Sequence, residues 1–143
     1  MNTILKKQYI IIILPAVCLF LAFGLARQLN LITSGQFVIS SVLHSVLFIL
    51  SVITAIAGPL FIRTLFAHSM RKQRGVPAKE FLSFQRKILW LSMITPYIAL
   101  IAVLCDFPRF FAAAIVLMAL YAVYYYFPSQ KRIDFDRKIF RVK

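Results

Sequence analysis

Four stretches of this sequence, Tyr9–Ala26, Phe37–Ile62, Ile88–Leu104 and Phe110–Phe127, contain no Lys, Arg, Asp or Glu. At ~1.5 Å per helical residue each can cross, or nearly cross, a hydrocarbon layer of ~30 Å. A backbone in hydrocarbon has no water to bond, and a helix is how a single segment satisfies its own N–H and C=O groups. The pattern predicts an all-α polytopic membrane protein: a four-helix transmembrane bundle forming one integral domain over residues 1–143. Composition agrees, since 62% of the residues are hydrophobic, where soluble domains are nearer half. The first run, after Lys6 and Lys7, is read as a membrane helix rather than a cleaved leader.

Charge sets the expected orientation. The stretch 63–87 between the second and third runs carries seven Lys or Arg against one acid, Glu80. The N-terminal segment has two more and the 128–143 tail six, while the two opposite connections have one each, Arg27 and Arg109. By the positive-inside rule both termini and the 63–87 hairpin face the cytoplasm, in a plasma (inner) membrane. The formal net charge of +13 would suggest nucleic acid in a soluble chain. Here the cations flank apolar runs, and anionic lipid headgroups are the expected partner. Arg63, Arg71, Lys72, Arg74, Arg86 and Lys87 are the candidate headgroup contacts.

Breakers and small residues shape the expected bundle. Pro15, Pro59 (after Gly58) and Pro96 lie inside runs and predict kinks. Thr64–Arg74 has no breaker, so the second helix is expected to continue past the membrane to the turn at Gly75-Val76-Pro77. Small or hydroxyl stripes suit close helix packing: Ser92, Thr95, Pro96, Ala99 and Ala102 in the third run, Ala112, Ala119 and Ala122 in the fourth. A weaker one in the first is Pro15, Cys18, Ala22 and Ala26. Cys18 and Cys105 have no metal-like spacing and are read as packing residues.

His44 is the one ionisable group well inside a run. Ser40, His44, Ser51 and Thr54 fall within about 80° of one helix face, a candidate intramembrane polar site. With no Asp or Glu beside it in the runs, interhelical packing is the leading reading and a proton or cation path the second. His44 and His68 are some ~36 Å apart along one helix, too far to share a haem, and no cofactor is expected. The sequence holds no GxSxG, HExxH or Walker loop, which disfavours an enzyme.

The leading expectation is therefore a small integral subunit or accessory protein that binds another membrane protein, or further copies of itself. The alternatives are a membrane enzyme acting on a lipophilic substrate at the cytoplasmic leaflet, and a small oligomeric transporter or channel. The tail holds Ile133, Phe135, Ile139, Phe140 and Val142, which a solvated polybasic arm would not need. It is expected to dock, with Phe135 and Phe140 buried and Asp134 and Asp136 pairing with Arg71, Lys72 or Arg74.

Overall fold

The computed structural model describes residues 2–29, 31, 40–71 and 75–142. Over these the chain is helical without strands. α1 is Asn2–Gln28. α2 is Ser41–Met70 and α3 is Ala78–Leu104, each continuous apart from one local defect. α4 is Arg109–Tyr125 and α5 is Gln130–Ile139. α1, α2 and α3 are long and apolar enough to cross a membrane. α4 joins them only when taken together with α5, from which it is bent by 76°. The apolar helices are compatible with an integral membrane protein.

Each long helix overruns its uncharged stretch. α1 takes in Lys6 and Lys7, whose long side chains can reach water from a helix whose body is apolar. α2 runs on through Arg63 to Met70, as the absence of a breaker predicts. Its expected start at Phe37, Asn30 and the Ser34-Gly35 turn fall outside the described residues. Pro77 is the extended residue before α3, and Glu80 sits in that helix's first turn.

Two prolines are accommodated locally. In α2 the segment Ile53–Ala57 widens into a π-helix, and the Gly58 N–H donates to the Ile53 carbonyl, five residues back. Pro59 follows directly. Its missing donor and bulky ring disturb the α-helical ladder one turn earlier, and the wider turn absorbs that disturbance. In α3 the turn at Met93–Ile94 restarts the helix at Thr95, with Pro96 in the new first turn, where a missing N–H leaves nothing unpaired.

α3 is the hub. Half of its most apolar window is buried, against 22% for α2 and 11% for α1. Ser92, Thr95, Pro96, Ala99 and Ala102 are all buried, so the expected stripe is the packed face. Ala119 and Ala122 do the same for α4. α1 departs from expectation: Pro15, Cys18 and Ala22 are exposed. Its packed face is Leu5, Tyr9 and Ala16, with Ile12 and Phe20 partly covered. Large side chains with a polar tip decide that contact. The Tyr9 hydroxyl donates to the Val123 carbonyl at 2.9 Å and the Tyr97 hydroxyl to the Ile12 carbonyl at 2.6 Å.

The core has two ends. At one, Ile98, Ala99 and Ala102 meet Phe107, Ile115 and Ala119, with Cys105 partly covered. The Arg27–Asp106 ion pair, 3.2 Å, ties α1 to the α3–α4 turn at the same end. At the other, Leu5, Val76, Phe81, Phe84, Ile88 and Ile133 form a cap drawn from α1, the turn before α3, α3 itself and α5. The tail is thus docked, by Ile133 and by Phe140, whose ring lies 5.3 Å from Phe66 and 5.6 Å from Phe84. Phe135, expected to dock, is 61% exposed. Helical spacing puts 133, 136 and 140 on one face of α5 and 135 and 139 on the opposite one.

Gly58 marks the closest approach of α2 to α3. A Cβ there would stand 2.5 Å from Leu91 Cδ2 and 3.0 Å from the Ile53 carbonyl oxygen. Gly58→Ala is expected to cost about 1–3 kcal/mol through overpacking, read as a lower unfolding midpoint in detergent. A second change, Leu91→Ala, is expected to recover part of the loss, and its failure to do so would refute the contact.

Candidate functional site

Two polar constellations stand out, one inside the helices and one at the cap. The inner one centres on the π segment. Ser51 and Thr54 of α2 face Ser92 and Thr95 of α3, and all four are buried. Thr54 Oγ1 lies 2.9 Å from Thr95 Oγ1 and 2.9 Å from the Leu50 carbonyl. A hydroxyl has one proton, so the consistent assignment is Thr95 donating to Thr54 and Thr54 donating to Leu50. Ser51 donates to the Phe48 carbonyl and Ser92 to the Ile88 carbonyl. These hydroxyls join or cover helices in the way interhelical polar residues do.

The other members of the expected intramembrane site lie elsewhere. Ser40 is exposed at the start of α2, some ~21 Å along the helix from Thr54. His44 is half-buried against aromatic rings, 4.3 Å from the Phe107 centroid edge-on and 6.0 Å from Phe111. The structure therefore brings Ser51 and Thr54 together and leaves Ser40 and His44 apart from them. Thr95 and Ser92 complete the set, and the third-run stripe already signalled both.

The cap constellation was not legible as a unit. Asp136 of α5 is buried and accepts from Arg63 of α2 at 2.7 Å and from Gln85 of α3 at 2.9 Å. Arg63 thus serves the tail. The expected partners of Asp136 were Arg71, Lys72 or Arg74, and the correction follows from where α5 lies. It crosses α2 about two turns nearer the membrane-length segment than those residues. Asp134 is exposed. Of the remaining headgroup candidates, Arg71, Arg86 and Lys87 are exposed. Lys72 and Arg74 lie outside the described residues.

Three recesses surround the cap. A small cavity of about 130 Å³ runs between Leu60, Arg63, Gln85, Tyr126, Ile133 and Asp136. An open groove of about 600 Å³ separates the end of α2 from the start of α3. Ile62, Leu65, Phe66, Met70 and Phe84 line it, and His68, Glu80 and Lys87 stand at its polar positions. A third groove, about 590 Å³, opens between the end of α4 and α5. Beside it the Arg132 guanidinium lies 4.0 Å over the Tyr125 ring. Among the described residues no three His, Cys, Asp or Glu side chains converge on a metal-sized site.

Two mutational outcomes follow from this geometry. Thr54→Val removes the acceptor of the Thr95 hydroxyl, whereas Thr95→Val leaves Thr54 bonded to Leu50. The first is expected to cost more, about 0.5–2 kcal/mol, in steric-trap or detergent unfolding, and equal costs would contradict the assignment. At the cap, Arg63→Leu leaves the buried Asp136 carboxylate with one neutral donor. Asp136→Leu leaves the neutral Gln85 amide and Arg63, whose side chain is 38% exposed and can turn to water. Arg63→Leu should therefore loosen the tail more, by roughly 1–3 kcal/mol, seen as faster tryptic cleavage after Lys138 and Arg141.

No protein-family model, no curated protein and no solved structure matches this chain.

Proposed function

We propose that this chain is a four-span integral subunit or accessory protein, with both termini cytoplasmic, that binds a partner membrane protein through the α2/α3 groove. The fourth span in this reading is α4, seventeen residues or ~26 Å, completed by Phe107, Pro108, Tyr126 and Phe127 at its ends. The orientation rests on fifteen of the 17 lysines and arginines lying in the N-terminal segment, the 63–87 stretch and the tail. An inner membrane suits that bias. Of the headgroup candidates, the exposed Arg71, Arg86 and Lys87 sit where anionic headgroups would meet them.

The groove carries the reading. Arg63 is the first charge after the long apolar part of α2 and marks the headgroup level. Leu65, Phe66 and Met70 come after it, beyond the hydrocarbon, yet they wall an open recess. Apolar surface outside the bilayer is not covered by acyl chains, and a contiguous patch there fits a protein contact. Glu80, Lys87 and His68 give it the polar positions that fix a partner's register. Inside the helices, the hydroxyls are spent on one another and on carbonyls, which supports packing over transport or chemistry.

Leu65 is 53% exposed and tests the idea. The full chain, purified in mild detergent, is expected to carry a second polypeptide in fixed stoichiometry, or a second copy of itself. Leu65→Glu should abolish that association while leaving the helical signal and unfolding midpoint unchanged. Burial of such a side chain is worth about 1.5–3 kcal/mol, so the loss should exceed about tenfold in affinity. A chain that is monomeric and alone under all mild conditions would refute the proposal. The orientation has its own check: cysteine placed at Ser69, with Cys18 and Cys105 removed, should be shielded from impermeant reagent in intact cells.

A further inference from the structure

We infer that the groove between the end of α4 and the outer face of α5 binds the phosphate-bearing headgroup of an anionic phospholipid from the leaflet it borders. α5 turns away from α4 by 76°, so with α4 crossing the bilayer it lies nearly in the membrane plane. It has two faces. Ile133, Asp136 and Phe140 point into the cap. On the opposite side Phe135 and Ile139 are 61% and 50% exposed, with Lys131, Arg132 and Lys138 beside them at helical spacing. An exposed apolar pair flanked by cations is the surface of an interfacial helix.

The groove lies under that face, lined by Tyr124, Tyr125, Phe127, Lys131, Arg132 and Phe135, with Arg63 and Asp136 at its back. The Arg63–Asp136 pair cancels in charge, which leaves Lys131 and Arg132 as the net charge of the groove. Among the described residues neither of those two has a carboxylate partner. Both also stand in the first turn of α5, which holds no acid. Cations at a helix N-terminus oppose the helix dipole, and an anion at that end relieves both. Arg132 is held over the Tyr125 ring at 4.0 Å. Stacking fixes the guanidinium plane and leaves its edge donors for a phosphate, which arginine can hold with two parallel bonds.

The surroundings favour a lipid over a soluble phosphate ester. Tyr124 is 85% exposed and Phe127 44%. These rings belong to the aromatic end of an apolar helix, where tyrosine sits at the headgroup level. They would contact the glycerol and upper acyl region while Lys131 and Arg132 hold the phosphate. The site rests on the proposed span of α4 but does not depend on the α2/α3 groove, so it stands or falls separately from the partner proposal.

The test is native mass spectrometry on the full chain in mild detergent, titrated with dioleoylphosphatidylglycerol or dioleoylphosphatidylcholine. The wild type is expected to retain phosphatidylglycerol in preference to phosphatidylcholine. Lys131→Ala with Arg132→Ala should weaken that retention by about tenfold. Lys6→Ala with Lys7→Ala removes the same charge elsewhere and should leave it intact. Phe135→Ser should weaken it without changing the unfolding midpoint of the lipid-free protein. Equal loss from the two double variants would show general electrostatic attraction and overturn the site. So would equal retention of the two lipids. Displacement of phosphatidylglycerol by equimolar glycerol 3-phosphate would identify a soluble phosphate site and also overturn the lipid assignment.

Discussion

A proline in an apolar helix takes away a backbone donor where no water can replace it, and the packing of this molecule is organised around that loss. Pro59 is met by the π-helical widening at Ile53–Ala57, which carries Thr54 onto the α3 side. Pro96 is met by a helix restart, which presents Thr95 at the same level. The Thr54–Thr95 bond joins the two repaired places, and Gly58 next to the π segment lets the backbones close on Leu91. Near Pro15, the Tyr97 hydroxyl reaches the Ile12 carbonyl, beside the Ile11 carbonyl that the proline leaves without its usual donor. Away from water an unsatisfied polar backbone group costs several kcal/mol, and the contacts between these helices fall beside the places where prolines interrupt the ladder.

The cap obeys a different balance. Arg63, Gln85 and Asp136 draw three helices together where the apolar cluster of Phe81, Phe84 and Ile133 excludes water. Burying a carboxylate is costly, and the geometry offsets that with two donors. The ion pair gives position more than stability: it fixes α5 against α2 and α3, while Phe140, edge-on to Phe66 and Phe84, supplies the apolar contact. The Arg27–Asp106 pair does related work at the other end, with both partners more open to solvent.

Much of this was legible in the residues, and the parts that were not share a cause. The apolar runs and the extension of α2 beyond Arg63 follow from local pattern. So do the buried stripe of α3 and a docked tail. Boundaries shifted where Lys6 and Lys7 ride on a helix instead of ending it. The packed face of α1 was misread because small residues suggest close contact, yet two tyrosine hydroxyls aimed at carbonyls in neighbouring helices outweigh them. The partner of Asp136 depended on the 76° turn before α5, which no local signal specifies beyond Pro128. The opposite fates of Phe135 and Phe140 were readable from helical spacing alone. The π segment was not, since Gly58-Pro59 announces a defect without saying which kind.

The attachment of α1 has a bearing on how the protein is made. Its two hydroxyl bonds join residues 85 and 114 positions apart in sequence. Synthesis runs from the N-terminus, so α1 is made long before Tyr97 or Val123 exists. For that interval neither bond is available, and α1 keeps its helix by its own backbone hydrogen bonds. One bond is donated by α1, from Tyr9, and the other is donated to it, from Tyr97. α1 is thus made before either of the partners that tie it to α3 and α4.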